Sequence, residues 1–254
     1  MQKLTDREKV RYERNILVEG LGVEGQERLK NSRLLIVGAG GLGSPLAYYC
    51  AAAGFGTIGI VEFDTIELSN LNRQILHREV DIGKSKINSA AEKLKAFNVD
   101  IVIETHPFKL DKAQAQKVIA AYDIVADATD TFESKFMLSD VCVEFNKPLV
   151  HGAVLAMGGQ VLTIMPGKGA CLRCVFGGEP PKSAYKTSKE AGILGSVAGI
   201  AGTIQATECV KLAAGMDGGL TNTLLSFDAR SMEFKRLKVR MDNNCAACGP
   251  NRSS

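Results

Sequence analysis

An apolar run, Leu34-Leu35-Ile36-Val37, enters the turn Gly38-Ala39-Gly40-Gly41-Leu42-Gly43 without a spacer, and a helix-forming stretch, Ser44 to Ala53, leaves it. The next apolar run, Ile58 to Val61, ends in Glu62-Phe63-Asp64. Strand, glycine turn, helix, strand and acid in this order point to an α/β layer structure with parallel strands. The order is also the one a nucleotide site needs. Glycines let the backbone approach phosphates, and a helix N-terminus offers free N–H groups and the positive end of its dipole. A carboxylate at the second strand end accepts from ribose hydroxyls. Gly38, Gly40, Gly41, Gly43, Glu62 and Asp64 are therefore candidate nucleotide contacts. The competing reading is a tight βα connection that needs glycine only for packing.

From Arg33 onward the pattern alternates. Strands are predicted over Leu34–Val37, Thr57–Val61, Asp100–Thr105 and Asp123–Ala126, and helices over Ser44–Ala53, Lys84–Phe97, Leu110–Ala121 and Thr131–Phe145. This implies a doubly wound, mostly parallel sheet covered on both faces. Two amphipathic helices, Leu4–Asn15 and Gly22–Asn31, are predicted before it. A second region begins near Pro148, with strands over Leu149–Val154, Gly159–Met165, Leu224–Phe227 and Glu233–Val239. A Gly-rich helix from Ala191 to Ala214 lies between them. The polar stretch Gly177–Glu190 is the candidate mobile segment.

A chain of 254 residues can bury a substantial core. Its net charge of +3 and lack of Trp advertise no nucleic-acid partner. The N-terminus is polar and charged, and no apolar run reaches the length of a membrane span, so a cytoplasmic protein is expected. Seven cysteines in such a chain point to thiols or metal rather than a disulfide framework.

Four of those cysteines form two pairs, Cys171-Leu172-Arg173-Cys174 and Cys245-Ala246-Ala247-Cys248. Four thiolates make a closed tetrahedral zinc site with no open position for substrate, hence a structural role. The alternative is a pair of redox motifs, each beside a helix N-terminus. Gly249-Pro250 after Cys248 suits a metal-knuckle turn better. Cys50, Cys142 and Cys209 sit in apolar helical contexts and read as buried small hydrophobes.

Three further segments should leave strand C-terminal ends and so face the same crevice. They are Asp64 to Gln74, which includes Ser69, Asn70 and Arg73; Gly83-Lys84-Ser85-Lys86; and Asp127-Ala128-Thr129-Asp130. Lysine and arginine beside a triphosphate neutralise charge that develops in transfer, and a carboxylate there can hold Mg²⁺. The plainer readings are that Asp127 or Asp130 caps the helix at Thr131 and that Lys84 is surface. Spacing alone does not place Arg14.

Taken in order, Arg11-Tyr12-Glu13-Arg14, the glycine turn, Leu68 to Gln74, Gly83 to Lys86, Asp127 to Asp130 and both CxxC pairs resemble the MoeB/ThiF/HesA family, bacterial relatives of ubiquitin-activating enzymes. The resemblance covers nearly the whole chain. It implies one adenylation domain over 1–254: N-terminal helices (1–32), a nucleotide-binding half (33–147) and a carrier-binding and zinc half (148–254). It implies ATP- and Mg²⁺-dependent adenylation of the C-terminal glycine of a ubiquitin-like sulfur carrier ending in Gly-Gly, with pyrophosphate released. Gly41 would lie against the phosphates, Glu62 would hold the ribose, and Asn70, Arg73 and Lys86 would contact ATP. Asp130 would hold Mg²⁺, and Arg14 would reach the neighbouring subunit of a homodimer. Cys171, Cys174, Cys245 and Cys248 match the zinc ligands, and a separate persulfide donor could supply sulfur. Three positions depart from the family pattern. Ser188 stands where many relatives carry a Cys, and serine forms neither an acyl-disulfide nor a persulfide. Thr131 and Lys135 stand where Asn and Arg are frequent, and lysine keeps the charge but not the planar fork. The glycine turn and Glu62 alone would equally fit an NAD(P)-dependent oxidoreductase, but that leaves Arg73, Lys86, Asp130 and the cysteine pairs unexplained. A zinc-stapled binding module without chemistry is the remaining alternative.

Overall fold

Alternation along β1 (Arg33–Val37) divides the interior in two. Leu34 and Ile36 join one apolar cluster, and Leu35 and Val37 join the other. The computed structural model describes residues 1–250; the side chains of Lys182, Ser188 and Lys189 are outside the described residues, so the reading of Ser188 as a replacement for the family Cys lies outside them too. β1 lies inside one eight-stranded sheet with β2 (Thr57–Val61), β3 (Val102–His106), β4 (Ile124–Asp127), β5 (Leu149–Leu155), β6 (Gly158–Ile164), β7 (Thr223–Asp228) and β8 (Glu233–Lys238), in the order β3-β2-β1-β4-β5-β6-β7-β8. The first five are parallel and the last three antiparallel, as expected. β1 is flanked by β2 on one side and β4 on the other, so the strand order reverses there and leaves a crevice at the strand C-terminal ends.

Three helices precede or flank β1: α1 (Asp6–Arg11), α2 (Glu13–Ile16) and α3 (Gly22–Asn31). One sheet face is then covered by α4 (Gly43–Ala53), α5 (Lys86–Phe97) and the long helix α10 (Gly195–Ala214). The other carries α6 (Lys112–Ile119), α7 (Phe132–Glu144) and the short α8 (Leu172–Phe176), while α9 (Ser188–Ala191) precedes α10. Cys50 and Cys209 are fully buried on the first face and Cys142 on the second, as small hydrophobes. α10 lies close on α4: a side chain at Gly202 would overlap the Leu42 carbonyl. Among the described residues no helix is long and apolar enough to cross a membrane.

The differences from the sequence expectations have local causes. The first predicted helix breaks at Tyr12 (φ −101°, ψ 14°). The Tyr12 ring is buried over Gly54, and its hydroxyl accepts from Asn98 Nδ2 at 3.0 Å, so tertiary packing overrides helical periodicity. The helix predicted from Ala191 begins at Gly195, because residues 192–194 are tied to the β5–β6 hairpin. Ala156 donates to the Gly192 carbonyl at 2.9 Å and accepts from Leu194 at 3.2 Å. α5 starts at Lys86 rather than Lys84, since the Lys84 carbonyl accepts from Ile66. The stretch expected to be mobile carries an aromatic anchor: Tyr185 meets Phe132 edge to face at 4.5 Å.

Candidate nucleotide-binding site and metal centre

β1 delivers the glycine turn to the crevice. Gly38 has φ +102°, which disfavours any side chain, and a Cβ at Gly43 would overlap the Gly38 carbonyl. The turn therefore closes tightly enough to point the start of α4 outward. The amides of Gly41 and Leu42 donate to no protein acceptor among the described residues. They are the free donors that a phosphate group needs.

Two buried side chains clamp the turn at Ala39. Glu62, from the end of β2, accepts from the Ala39 amide through Oε2 (3.0 Å) and from the Phe63 and Asp64 amides through Oε1 (2.8 and 2.9 Å). A carboxylate has about four lone-pair sites, so Oε2 retains one for a ribose hydroxyl. His77 Nε2 lies 3.2 Å from the Ala39 carbonyl and Nδ1 lies 3.0 Å from Ser89 Oγ. A carbonyl only accepts, so Nε2 carries the proton; burial pushes the imidazole pKa down and keeps it neutral. Behind Ser89, the Lys93 ammonium pairs with buried Asp81, whose other oxygen takes Lys84 at 3.1 Å. The Lys93 contact outweighs burial and holds the Asp81 carboxyl well below the usual carboxylate range. Lys84 belongs to this network, although its side chain is more than half exposed.

The polar segment after β2 folds back over the turn. Residues 64–66 pair with 83–86, and Lys86 Nζ meets Asp64 at 3.0 Å, with the lysine side chain buried and the carboxylate half exposed. Arg73 lays its stem over Gly41 and donates from Nη1 to the Ser69 carbonyl (3.0 Å) and Asn72 Oδ1 (2.9 Å). Asn70 is buried, with its Oδ1 accepting from the Glu67 amide at 3.1 Å, and Ser69 Oγ reaches Glu67 at 3.3 Å. A side chain at Gly195 would overlap the Asn72 carbonyl, and one at Gly41 would meet Ala198. The N-terminus of α10 is thus a further wall of the crevice that no sequence motif marked.

β4 brings in the third segment. Asp127 is fully buried, and its Oδ1 accepts from the Thr129 amide (3.0 Å) and hydroxyl (2.6 Å). Its Oδ2 accepts from His151 Nδ1 at 2.8 Å, and Lys135 Nζ lies 3.3–3.4 Å from both oxygens. Burial alone would raise the Asp127 pKa; the Lys135 charge and the hydrogen bonds from His151 and Thr129 outweigh it and hold the carboxyl well below the carboxylate range. Burial keeps His151 neutral in turn. Neither Asp127 nor Asp130 caps α7. Thr131 does, accepting from the Ser134 amide at 3.2 Å, while Asp130 is exposed in the turn that leaves β4. The capping alternative is therefore corrected for both aspartates.

Arg14 stands apart. It lies on α2 with its side chain 87% exposed, 3.8 Å from Glu13, and touches none of the crevice segments among the described residues. The residues the sequence did not mark are His77 and His151. His77 lies in a mixed polar loop and His151 in an apolar strand, and the partners of each come from other elements.

Both CxxC pairs converge below α7. The Sγ atoms of Cys171, Cys174, Cys245 and Cys248 all lie within 4.8 Å of one another, in a group that could hold a metal ion. Cys171 is 3.5 Å from Cys245 and Cys174 is 3.3 Å from Cys248. Burial pushes the Cys248 thiol up to about 12, whereas for Cys245 the amides of Cys248 and Ala247 outweigh burial and bring it to about 7. Arg173, inside the first pair, forms a bidentate contact with Asp140 of α7 (2.9 and 2.7 Å) and so ties the cluster to that helix.

The ThiF family model matches residues 12–247. The chain is 41% identical over 252 residues to "Adenylyltransferase and sulfurtransferase MOCS3" of Culex quinquefasciatus, covering 99% of this chain and 58% of that protein. It is 44% identical over 242 residues to "Adenylyltransferase and sulfurtransferase MOCS3-2" of Zea mays, covering 95% and 50%. It therefore spans about half the length of these curated relatives. Among solved structures, E. coli MccB superposes with a TM-score of 0.85 at 22% identity, covering 99% of this chain and 75% of that one. A structure of E. coli MccB with ATP superposes at 0.81 and 24% identity, covering 89% and 69%. These structural likenesses show the fold. With the family match covering most of the chain, from residue 12 through the glycine turn and the first cysteine pair to residue 247, the chain belongs to the ThiF family.

Proposed function

We propose that this protein is an ATP- and Mg²⁺-dependent adenylyltransferase that activates the C-terminal glycine carboxylate of a small ubiquitin-like sulfur carrier and releases pyrophosphate. The observation that carries the reading is the meeting, at one end of the sheet, of free amides at Gly41 and Leu42, the Arg73 stem over Gly41, Lys86 and the exposed Asp130. An oxidoreductase needs no such collection of cations. The relatives named adenylyltransferase and sulfurtransferase support the same reading.

In this reaction the carrier carboxylate attacks the α-phosphorus, the new acyl–phosphate bond forms, and the bond to pyrophosphate breaks. A terminal carboxylate is ionised at neutral pH, so no general base is required. Gly38, Gly40, Gly41 and Gly43 shape the phosphate cradle, and Glu62 offers its remaining lone pair to the ribose. Ser69, Asn70 and Thr129 order the flanking loops. Arg73 and Lys86 offset the repulsion between two anionic reactants and the charge growing on pyrophosphate. Lys86 leaves Asp64 to do so; Asp64 and Asp130 are the carboxylates available to Mg²⁺, which would neutralise phosphate charge when bound. Arg14, exposed on α2, would serve a neighbouring subunit of a homodimer.

The carrier would be of the MoaD or ThiS type, serving molybdopterin or thiamine thiazole synthesis, with sulfur from a separate persulfide donor. Zinc suits the cysteine cluster: thiolates about 2.3 Å from one tetrahedral ion stand about 3.8 Å apart, close to the sulfur separations present. A closed four-sulfur site makes this ion structural. The test is pyrophosphate exchange into ATP with Mg²⁺ against a panel of small carriers ending in Gly-Gly. Carrier-dependent exchange supports the proposal, and the best carrier names the pathway. No exchange from a metal-loaded protein that binds ATP overturns it in favour of a module without chemistry.

A further inference from the structure

We propose that Lys135 is a positioning residue for this reaction: it fixes the Thr129–Asp130 turn so that the Asp130 carboxylate is aimed into the crevice. The inference rests on the adenylation reading above.

The Lys135 side chain is almost wholly buried, and its three N–H donors have three destinations. Nζ donates to the Thr129 carbonyl and to the Gly152 carbonyl, each at 2.7 Å, and to the Asp127 carboxylate. Thr129 is thereby gripped at every polar group: its amide and hydroxyl by Asp127, its carbonyl by Lys135. The two gripping side chains are paired to each other, and Asp127 cannot rotate, because His151 holds its other oxygen. The Gly152 contact anchors the assembly to β5, so one ammonium joins the end of β4, the start of α7 and the neighbouring strand. Asp130 is the next residue. It is exposed, and its side chain has no partner among the described residues, so its direction is inherited from the turn. A carboxylate meant to meet a cation must reach it with both position and direction set beforehand, and Lys135 supplies that constraint without touching substrate.

The experiment compares wild type, Lys135→Arg, Lys135→Met and the neutral pair Asp127→Asn with Lys135→Gln. The pair avoids leaving Asp127 charged and alone, which would unfold a weaker protein. Carrier-dependent pyrophosphate exchange is followed against Mg²⁺ and against ATP, and amide hydrogen exchange over residues 128–131 is measured without nucleotide. Lys135→Met and the neutral pair are expected to lose about 100-fold in kcat, with ATP KM held within about threefold. Half-maximal activity should need about tenfold more Mg²⁺, and protection of 128–131 should be lost. Lys135→Arg, which restores a cation, should recover most of both. A folded Lys135→Met or neutral-pair protein with wild-type Mg²⁺ dependence, or with unchanged protection of the turn, overturns the inference. If wild type shows no exchange with any carrier, the functional reading falls by itself. The hydrogen-exchange comparison then still decides whether Lys135 fixes the turn, since unchanged protection overturns it and lost protection upholds it.

Discussion

The middle of the sheet and its β8 edge are stabilised in different ways. β1 and β4 lie between helices on both faces and bury nearly every side chain, whereas β8 exposes all six of its residues. Parallel strands demand that double cover, and the helices that provide it also bring the crevice loops to a common edge. Among the described residues no strand lies beyond β8. The chain end is instead gathered back to α8 by Cys245 and Cys248 meeting Cys171 and Cys174. Where apolar area runs short, ligand chemistry can close a fold, and the four cysteines are grouped so that a metal ion could do so here.

That contrast can be broken or sharpened by measurement. The largest effect should come from the crevice. Asp130→Ala and Arg73→Ala are expected to reduce pyrophosphate exchange by about 1000-fold, with unchanged circular dichroism; near-normal exchange in either would remove that residue from the site. Next is the apolar half. Leu35→Ala should cost about 3 kcal/mol, a fall of about 6–12 °C in Tm for a chain of this size, with metal content unaltered. The opposite pattern belongs to the other half: Cys248→Ala should lose the metal and about 2 kcal/mol while ATP affinity is retained. A Cys248→Ala protein that is metal-free yet melts like wild type would dissolve the distinction. A smaller effect is expected at the clamp on Ala39. His77→Ala should weaken ATP binding about tenfold, or 1.4 kcal/mol, read by calorimetry; unchanged affinity would reduce His77 to core packing.

The smallest effect is in pH. Burial lowers the pKa of His77, His106 and His151, so each binds fewer protons in the folded than in the unfolded chain. Their contribution is complete above the unfolded value of about 6.5 and is lost as pH falls from there through the lowered folded values. Stability should drop by about 1 kcal/mol between pH 7 and pH 6. A flat urea midpoint over that interval would show that these imidazoles titrate normally.

What the residues disclosed in advance was whatever is encoded locally. The glycine turn and each cysteine pair lie within a few residues, and the strand–helix alternation is written segment by segment; all are present, with some element ends shifted. The break at Tyr12 was hidden, because its cause is a ring seated on Gly54 and an amide from Asn98. The cap of α7 was misassigned because three hydroxyl or carboxyl residues follow one another, Thr129, Asp130 and Thr131, and only the backbone angles at Thr131 select one. The grip on Thr129 was invisible for a further reason. Asp127, Lys135 and His151 come from β4, α7 and β5, and their proximity is created by strand register, in which Asp127 stands opposite His151. The roles carried over to Arg14, Arg73, Lys86 and Asp130 come from resemblance rather than from spacing, and the Arg73 and Asp130 variants above test two of them.

One packing feature reaches further than its size. Where α10 crosses the start of α4, Gly202 leaves no room beside the Leu42 carbonyl, and Gly195 leaves none beside Asn72. A helix of 20 residues is a rod roughly 30 Å long, and this one rests by its bare backbone on the glycine turn and on the loop that folds over it. It works as a fixed gauge, with the width of the cleft set by two absent side chains. A methyl group added at either point would displace the gauge before it loosened the interior, so mutational drift along this helix should register as altered nucleotide selectivity in proteins that still melt normally.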